Sequence, residues 1–266
     1  MAWSEHVVVR DGVRLVCRDW GGTGQPVVLL HGLAGHAGEW EAVASRLASR
    51  YRVVAVDQRG HGASERHPRD VSRAAHVADV VAAVEQLGLC RPVVFGQSLG
   101  GHTAMLTAAA YSELVRALVL VEAGPGGPDP DAAAGIGGWL DTWPTPFPSR
   151  EAAAAFFGGG PVGAGWAAGL EVREDGWWPR FARDVMVCSV AEAAERSYLP
   201  EWKRVACPTL VVLAQSSFVP VREADEMLRQ GPATVAMSIP GTGHDLHLEQ
   251  PGVLHAALED FLDGLA

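Results

Sequence analysis

The sequence lacks any apolar stretch of the about 18 residues that a membrane-spanning helix needs, and its first residues show no basic segment followed by an apolar one. A membrane span and a secretory leader are therefore not expected, and the chain reads as cytoplasmic. Cysteine is sparse: Cys17, Cys90, Cys188 and Cys207 lie far apart and form no C-x-x-C pair. That spacing argues against a zinc ribbon or a dithiol redox motif and for free thiols. Ten histidines are present, but no H-E-x-x-H or comparable ligand spacing, so no metal is expected. Like charges form no run, and 31 acidic against 21 basic residues give a formal net charge of −10. Nucleic acid and anionic membrane surfaces are thus poor partners. No internal repeat occurs, and low complexity is confined to short alanine runs such as 152–155.

What the chain does have is apolar residues, 48% of 266, enough to bury a sizeable core. Runs rich in β-branched residues at 7–9, 15–17, 27–30, 53–56, 93–95, 118–121, 210–213 and 235–239 predict eight strands. Helical patterns fall at 39–49, 74–87, 99–111, 222–230 and 251–265. Strands alternating with helices of this length imply parallel crossovers and a doubly wound sheet, whereas Asp11-Gly12 between the first two runs predicts an antiparallel hairpin. The alternation stops between Gly124 and Arg204. That stretch opens with Gly124-Pro125-Gly126-Gly127-Pro128 and holds six of the nine tryptophans, so it reads as an insertion of short helices and loops over the sheet.

Three motifs carry chemistry. Gly96-Gln97-Ser98-Leu99-Gly100-Gly101 follows a predicted strand and opens a predicted helix. A serine at so sharp a turn takes a strained backbone conformation, needs small neighbours where strand and helix meet, and presents its hydroxyl at the positive end of the helix. Ser98 is the expected nucleophile. His31-Gly32-Leu33 ends the third strand, with His31 read as an imidazole that fixes the loop. Gly243-His244-Asp245 follows the last strand; a base must come from a loop other than the nucleophile's, and His244, in a short turn beside Gly243, is preferred to His247, read as a supporting residue ahead of the final helix.

Together with Asp57-Gln58-Arg59-Gly60-His61-Gly62-Ala63-Ser64, read as a structural turn, these motifs resemble the α/β-hydrolase superfamily. The similarity is to its lid-bearing branch of enol-lactonases, meta-cleavage-product hydrolases and proline iminopeptidases. The resemblance implies an eight-stranded α/β-hydrolase sheet formed by residues 1–124 and 204–266, with 125–203 as a lid. It implies an oxyanion hole from the amides of Leu33 and Leu99, an acyl-serine mechanism, no cofactor and no metal, and a small-molecule substrate. Oligomeric state is not legible. In most of that branch the acid orienting the histidine follows the strand corresponding to 209–213, yet here Ala214-Gln215-Ser216-Ser217-Phe218-Val219-Pro220 holds no carboxylate. Glu122, at the end of the strand before the insertion, is placed like the acid of haloalkane dehalogenases and of a zearalenone-hydrolysing lactonase. It is the candidate acid, the alternative being a glutamate that anchors the lid. The lid's aromatics, Trp177 and Trp178 among them, fit an apolar or aromatic substrate group or simply the lid's own core. A ligand-binding protein on a hydrolase fold and a cofactor-free haloperoxidase or perhydrolase are the competing functions.

Overall fold

Strands that are apolar at every position are expected where both faces of a sheet are covered. The computed structural model, which describes residues 3–231 and 233–265, shows this directly. Val27 and Leu29 of β3 (Pro26–Leu30) enter one core with Val53 and Ala55 of β4 (Arg52–Asp57) and Val93 and Phe95 of β5 (Val93–Gln97). Val28, Leu30, Val54, Val56 and Val94 enter the other, on the opposite face. The first core is covered by α1 (Glu41–Leu47) and α10 (Pro251–Asp263), the second by α2 (Arg73–Gln86) and α3 (Leu99–Ala110).

The sheet has eight strands. With β1 (Ser4–Arg10), β2 (Val13–Asp19), β6 (Ala117–Val121), β9 (Thr209–Ala214) and β10 (Thr234–Ile239), the order is β1-β2-β4-β3-β5-β6-β9-β10. The pairings of β1 with β2 and β2 with β4 are antiparallel, and the rest are parallel. The hairpin turns at Asp11 and Gly12, both at positive φ, as the right-handed twist of a two-residue turn requires. All eight expected strands and the five expected helices form, with α9 (Val221–Gln230) as the fourth; the first expected helix begins as a 3₁₀ turn, Ala37–Trp40. Among the described residues no helix is long and apolar enough to cross a membrane.

Between β6 and β9 the chain leaves the sheet. It forms α4 (Ala132–Asp141), α5 (Arg150–Phe156), α6 (Gly160–Ala168), α7 (Arg183–Ala191) and α8 (Leu199–Trp202). It also forms a ribbon of β7 (Glu171–Arg173) and β8 (Gly176–Trp178), which the sequence pattern does not announce: three residues a strand are too few to show a period. A third apolar cluster, including Trp143, Phe147, Leu170 and Met186, holds this insertion together and takes in Ala34 of the sheet domain.

Candidate active site

The turn between β5 and α3 is where the backbone is most constrained. Ser98 sits at φ 51° and ψ −122°, a left-handed conformation costing about 1–3 kcal/mol that persists only where its surroundings impose it. They do so by close contact. A Cβ on Gly96 would lie 2.3 Å from the Gly100 carbonyl oxygen, and one on Gly100 would lie 2.3 Å from that of His31. Strand, helix and the loop after β3 therefore meet backbone to backbone, and only glycine permits it.

That third loop is fixed by His31, which is fully buried. Its Nε2 accepts from the Gln58 N–H at 3.0 Å, which leaves the proton on Nδ1 to donate to the Gly32 carbonyl at 2.7 Å; the Gln58 amide donates to the His31 carbonyl at 2.6 Å. Burial pushes the His31 imidazole below its ordinary pKa, in keeping with this neutral tautomer. The Asp57–Ser64 stretch is a brace. Asp57 accepts from the N–H groups of Ala37 and Ala63 at 2.6 and 2.9 Å, and Arg59 makes a two-pronged pair with Asp79. A Cβ on Gly32 would come 3.4 Å from the Cβ of Ser98, so the loop carrying Leu33 lies against the Ser98 turn. The N–H groups of Leu33 and Leu99 donate to no acceptor among the described residues.

His244 comes from the opposite side, after β10. It is half exposed, and Gln97, the neighbour of Ser98, binds it: the Gln97 amide nitrogen lies 3.1 Å from the imidazole Nδ1 and donates to the His244 carbonyl at 3.1 Å. Asp245 Oδ1 lies 3.4 Å from the same Nδ1, and the Phe218 ring meets the imidazole edge-on at 5.9 Å. Nδ1 is thus faced by one donor and one acceptor and can serve one at a time. Burial pushes the Asp245 carboxyl up, but hydrogen bonds from His244 and Trp166 and the nearby His247 outweigh it and hold it below its ordinary range. His247 is buried against Trp40, 3.5 Å from Glu39.

Glu122 is fully buried at the end of β6, also at positive φ (50°). Its Oε1 accepts from the Ala214 N–H at 2.6 Å and the Ser217 hydroxyl at 2.8 Å, and its Oε2 from the Phe218 N–H at 2.8 Å. The carboxylate therefore supports the acid-free loop after β9. Among the described residues no Lys, Arg or His lies within ion-pair distance of it, and no hydrogen bond joins His244 to either Ser98 or Glu122. The structure thus brings Ser98, Leu33, Leu99 and the His244 loop together around Gln97. Glu122 is one residue's contact away, through Phe218.

The two tryptophans separate. Trp177 exchanges both backbone hydrogen bonds with Phe147 at 2.9 Å and packs into the insertion's cluster. Trp178 lines an outer cleft of about 390 Å³ together with Leu140, Trp143 and Phe181, and its indole donates to Asp175 at 2.8 Å. Ser98 and His244 do not line that cleft. The roles of Gln97 and of Trp166, whose indole donates to Asp245 at 3.0 Å, are absent from the sequence reading. Both are long-range contacts with no local signature.

The Alpha/beta hydrolase family matches residues 27–257 of the chain. The 2-(acetamidomethylene)succinate hydrolase of Mesorhizobium japonicum is 24% identical over 250 residues, covering 91% of this chain and 89% of that protein. The crystal structure of E-2-(acetamidomethylene)succinate hydrolase superposes with a TM-score of 0.89 at 22% identity, covering 98% of this chain and 99% of that one. The enol-lactonase of Burkholderia xenovorans superposes with a TM-score of 0.81 at 18% identity, covering 97% and 100%.

Proposed function

Because this chain belongs to the alpha/beta hydrolase family, we propose that it is a serine hydrolase that cleaves an ester, lactone or related acyl bond of a small molecule, with Ser98 as nucleophile. One observation supports this above all: the only residue between β5 and α3 is a serine held at φ 51° by a backbone that two close approaches leave no room to relax. The relative named as a 2-(acetamidomethylene)succinate hydrolase is in keeping with the same reading.

The chemistry follows from the groups at the turn. As His244 takes the hydroxyl proton, Ser98 Oγ attacks the carbonyl carbon, and the oxyanion that forms is met by the free amides of Leu33 and Leu99 at the positive end of α3. Collapse breaks the bond to the leaving group, which receives the proton from His244 and leaves an acyl-serine. Water, giving a proton to His244, then attacks the acyl carbon, and collapse breaks the bond to Oγ, releases the acid and returns the proton to Ser98. For this the imidazole must leave the Gln97 amide and turn Nε2 to Ser98. Apo sites commonly rest in such looser arrangements and tighten around substrate.

The imidazolium formed on the way needs a counter-charge. Glu122 is read as that partner: it is a buried carboxylate with three donors and, among the described residues, no cation beside it, and Phe218 links it to the imidazole. Asp245, already 3.4 Å from Nδ1, is the competitor. Residues 125–203 are read as the lid over this site, with Trp178 facing substrate on its way in. A ligand-binding reading draws on the absence of a Ser98–His244 hydrogen bond. Turnover of p-nitrophenyl esters separates the two: the hydrolase reading expects release that Ser98→Ala abolishes without a change in melting temperature, and equal release by the variant would refute it.

A further inference from the structure

Arg180, in the turn between β8 and α7, is half-buried, and among the described residues its guanidinium has neither an ion-pair nor a hydrogen-bond partner. It lines a small pocket with Ala34, Gly35, Trp143, Trp166 and Phe181. Two of its walls belong to segments that also reach the Ser98 and His244 loops. Ala34 and Gly35 continue the loop whose Gly32 abuts Ser98, and Trp166 is bonded to Asp245 beside His244. The space free in it is about 10 Å³, room for one water. Its wall is thin: Trp143 and Phe181, edge to face at 5.5 Å, also line the outer cleft of about 390 Å³.

The charges around the two spaces do not balance. The outer cleft is lined by Arg66, Arg173 and Arg183, against the single acid Asp141. Arg183 takes Asp141 at 2.5 Å, while Arg66 and Arg173 share Glu171 at the rim, at 2.7 and 2.5 Å. With Arg180 the count is four arginines, two acids bonded to them, and Asp175 held by the Trp178 indole. On a chain whose formal charge is −10, which repels anions at long range, an arginine-lined mouth leading to an unpaired arginine is an anion path.

We infer that Arg180 is a specificity residue that pairs with a carboxylate on the acyl part of the substrate, so that the enzyme takes acyl compounds carrying a negative charge. This rests on the serine-hydrolase reading of Ser98. With the scissile carbonyl between Leu33 and Leu99, the acyl chain runs along Ala34 and Gly35 toward the guanidinium. A carboxylate needs more room than one water, so its binding turns Phe181 outward into the cleft, where space is free. A planar two-pronged donor set suits that ligand better than an ammonium would.

The test compares p-nitrophenyl monoglutarate with its uncharged counterpart, p-nitrophenyl valerate. Arg180→Gln is expected to lower the ratio of kcat/KM for the two esters by about 30-fold or more, with Arg180→Lys between it and the wild type. Arg196→Gln, which removes an exposed arginine paired with Glu201, is expected to leave the ratio unchanged. A ratio that does not fall in Arg180→Gln would overturn the inference. If neither ester is turned over, the hydrolase reading is what has failed, and calorimetry with glutarate then decides for Arg180: binding abolished by Arg180→Gln supports the site, and binding that is absent or equal in both overturns it. Should the variant not fold, added salt is the measurement. Raising it to about 0.5 M should weaken kcat/KM for the monoglutarate and spare the valerate, and an equal response refutes the pairing.

Discussion

Replacing Glu122 by glutamine changes one atom and separates two roles. The glutamine oxygen can keep the bonds from Ala214 and Ser217, but its NH₂ group then faces the Phe218 N–H, donor against donor, where the carboxylate accepted at 2.8 Å. Losing one charge-assisted bond in a fully buried place costs about 2 kcal/mol, or about 6 °C in melting temperature for a domain of this size. A domain stable by about 5–15 kcal/mol stays folded at 25 °C after such a loss, so unfolding cannot lower the rate appreciably. If Glu122 stabilises the imidazolium of His244, kcat should instead fall by about 10⁴-fold, equivalent to about 5.5 kcal/mol in the transition state. The two effects differ enough in size to be read separately, from a melting curve and from steady-state ester hydrolysis. Asp245→Asn keeps an oxygen for the Trp166 indole and should stay within a few-fold of wild type, as should Glu223→Gln, whose carboxylate, pushed up by burial, accepts from Gly126 alone among the described residues. A kcat for Glu122→Gln within a few-fold of wild type, with Asp245→Asn carrying the large loss, would refute the assignment and leave Glu122 as a loop anchor.

Gly100→Ala places a Cβ 2.3 and 2.6 Å from the carbonyl oxygens of His31 and Leu30, where neither backbone can yield; a loss of about 6–12 °C in melting temperature is expected, and an unchanged melt would contradict the close-packed turn. Burial pushes His61 down to about 3 and holds His76 and His102 well below the ordinary imidazole range. The folded protein keeps all three neutral while the unfolded chain protonates them near pH 6.5, so stability falls as pH drops below that value, by about 1.4 kcal/mol for each at pH 5.5 and about 4 kcal/mol together. Urea midpoints at pH 7.5 and 5.5 check this, and equal midpoints would count against it. Trp177→Ala should chiefly lower the melting temperature, because its side chain packs against the insertion's apolar cluster, whereas Trp178→Ala should change selectivity among acyl chains at similar stability; kinetics and melting curves on both variants decide.

The sheet was legible because its strands are short, apolar and β-branched, and because each from the third onward is followed by a segment long enough for a helix. Those are local properties. The serine turn was legible for a related reason: glycines at 96 and 100 are a local trace of a close approach that only the fold makes visible. What could not be read is what depends on contacts between distant segments. Nothing in Gln97 announces that it bonds His244, 147 residues away, and nothing in residues 214–218 announces that a glutamate from the strand before the insertion holds them. The β7–β8 ribbon is too short to show a period. Trp177 and Trp178, adjacent in sequence, point to different surroundings because a strand alternates its side chains, so a paired expectation for them could not hold in one form.

Hydrolysis through Ser98 requires a covalent acyl intermediate on its Oγ. The direct measurement is rapid mixing of the enzyme with excess p-nitrophenyl monoglutarate or valerate, acid quenching within the burst, and mass spectrometry of the digested chain. A burst of p-nitrophenol near one equivalent, with the acyl mass increment on the peptide containing Ser98 and none in Ser98→Ala, is the predicted result. Acyl mass on another residue, or steady turnover by Ser98→Ala at the wild-type rate, would contradict it.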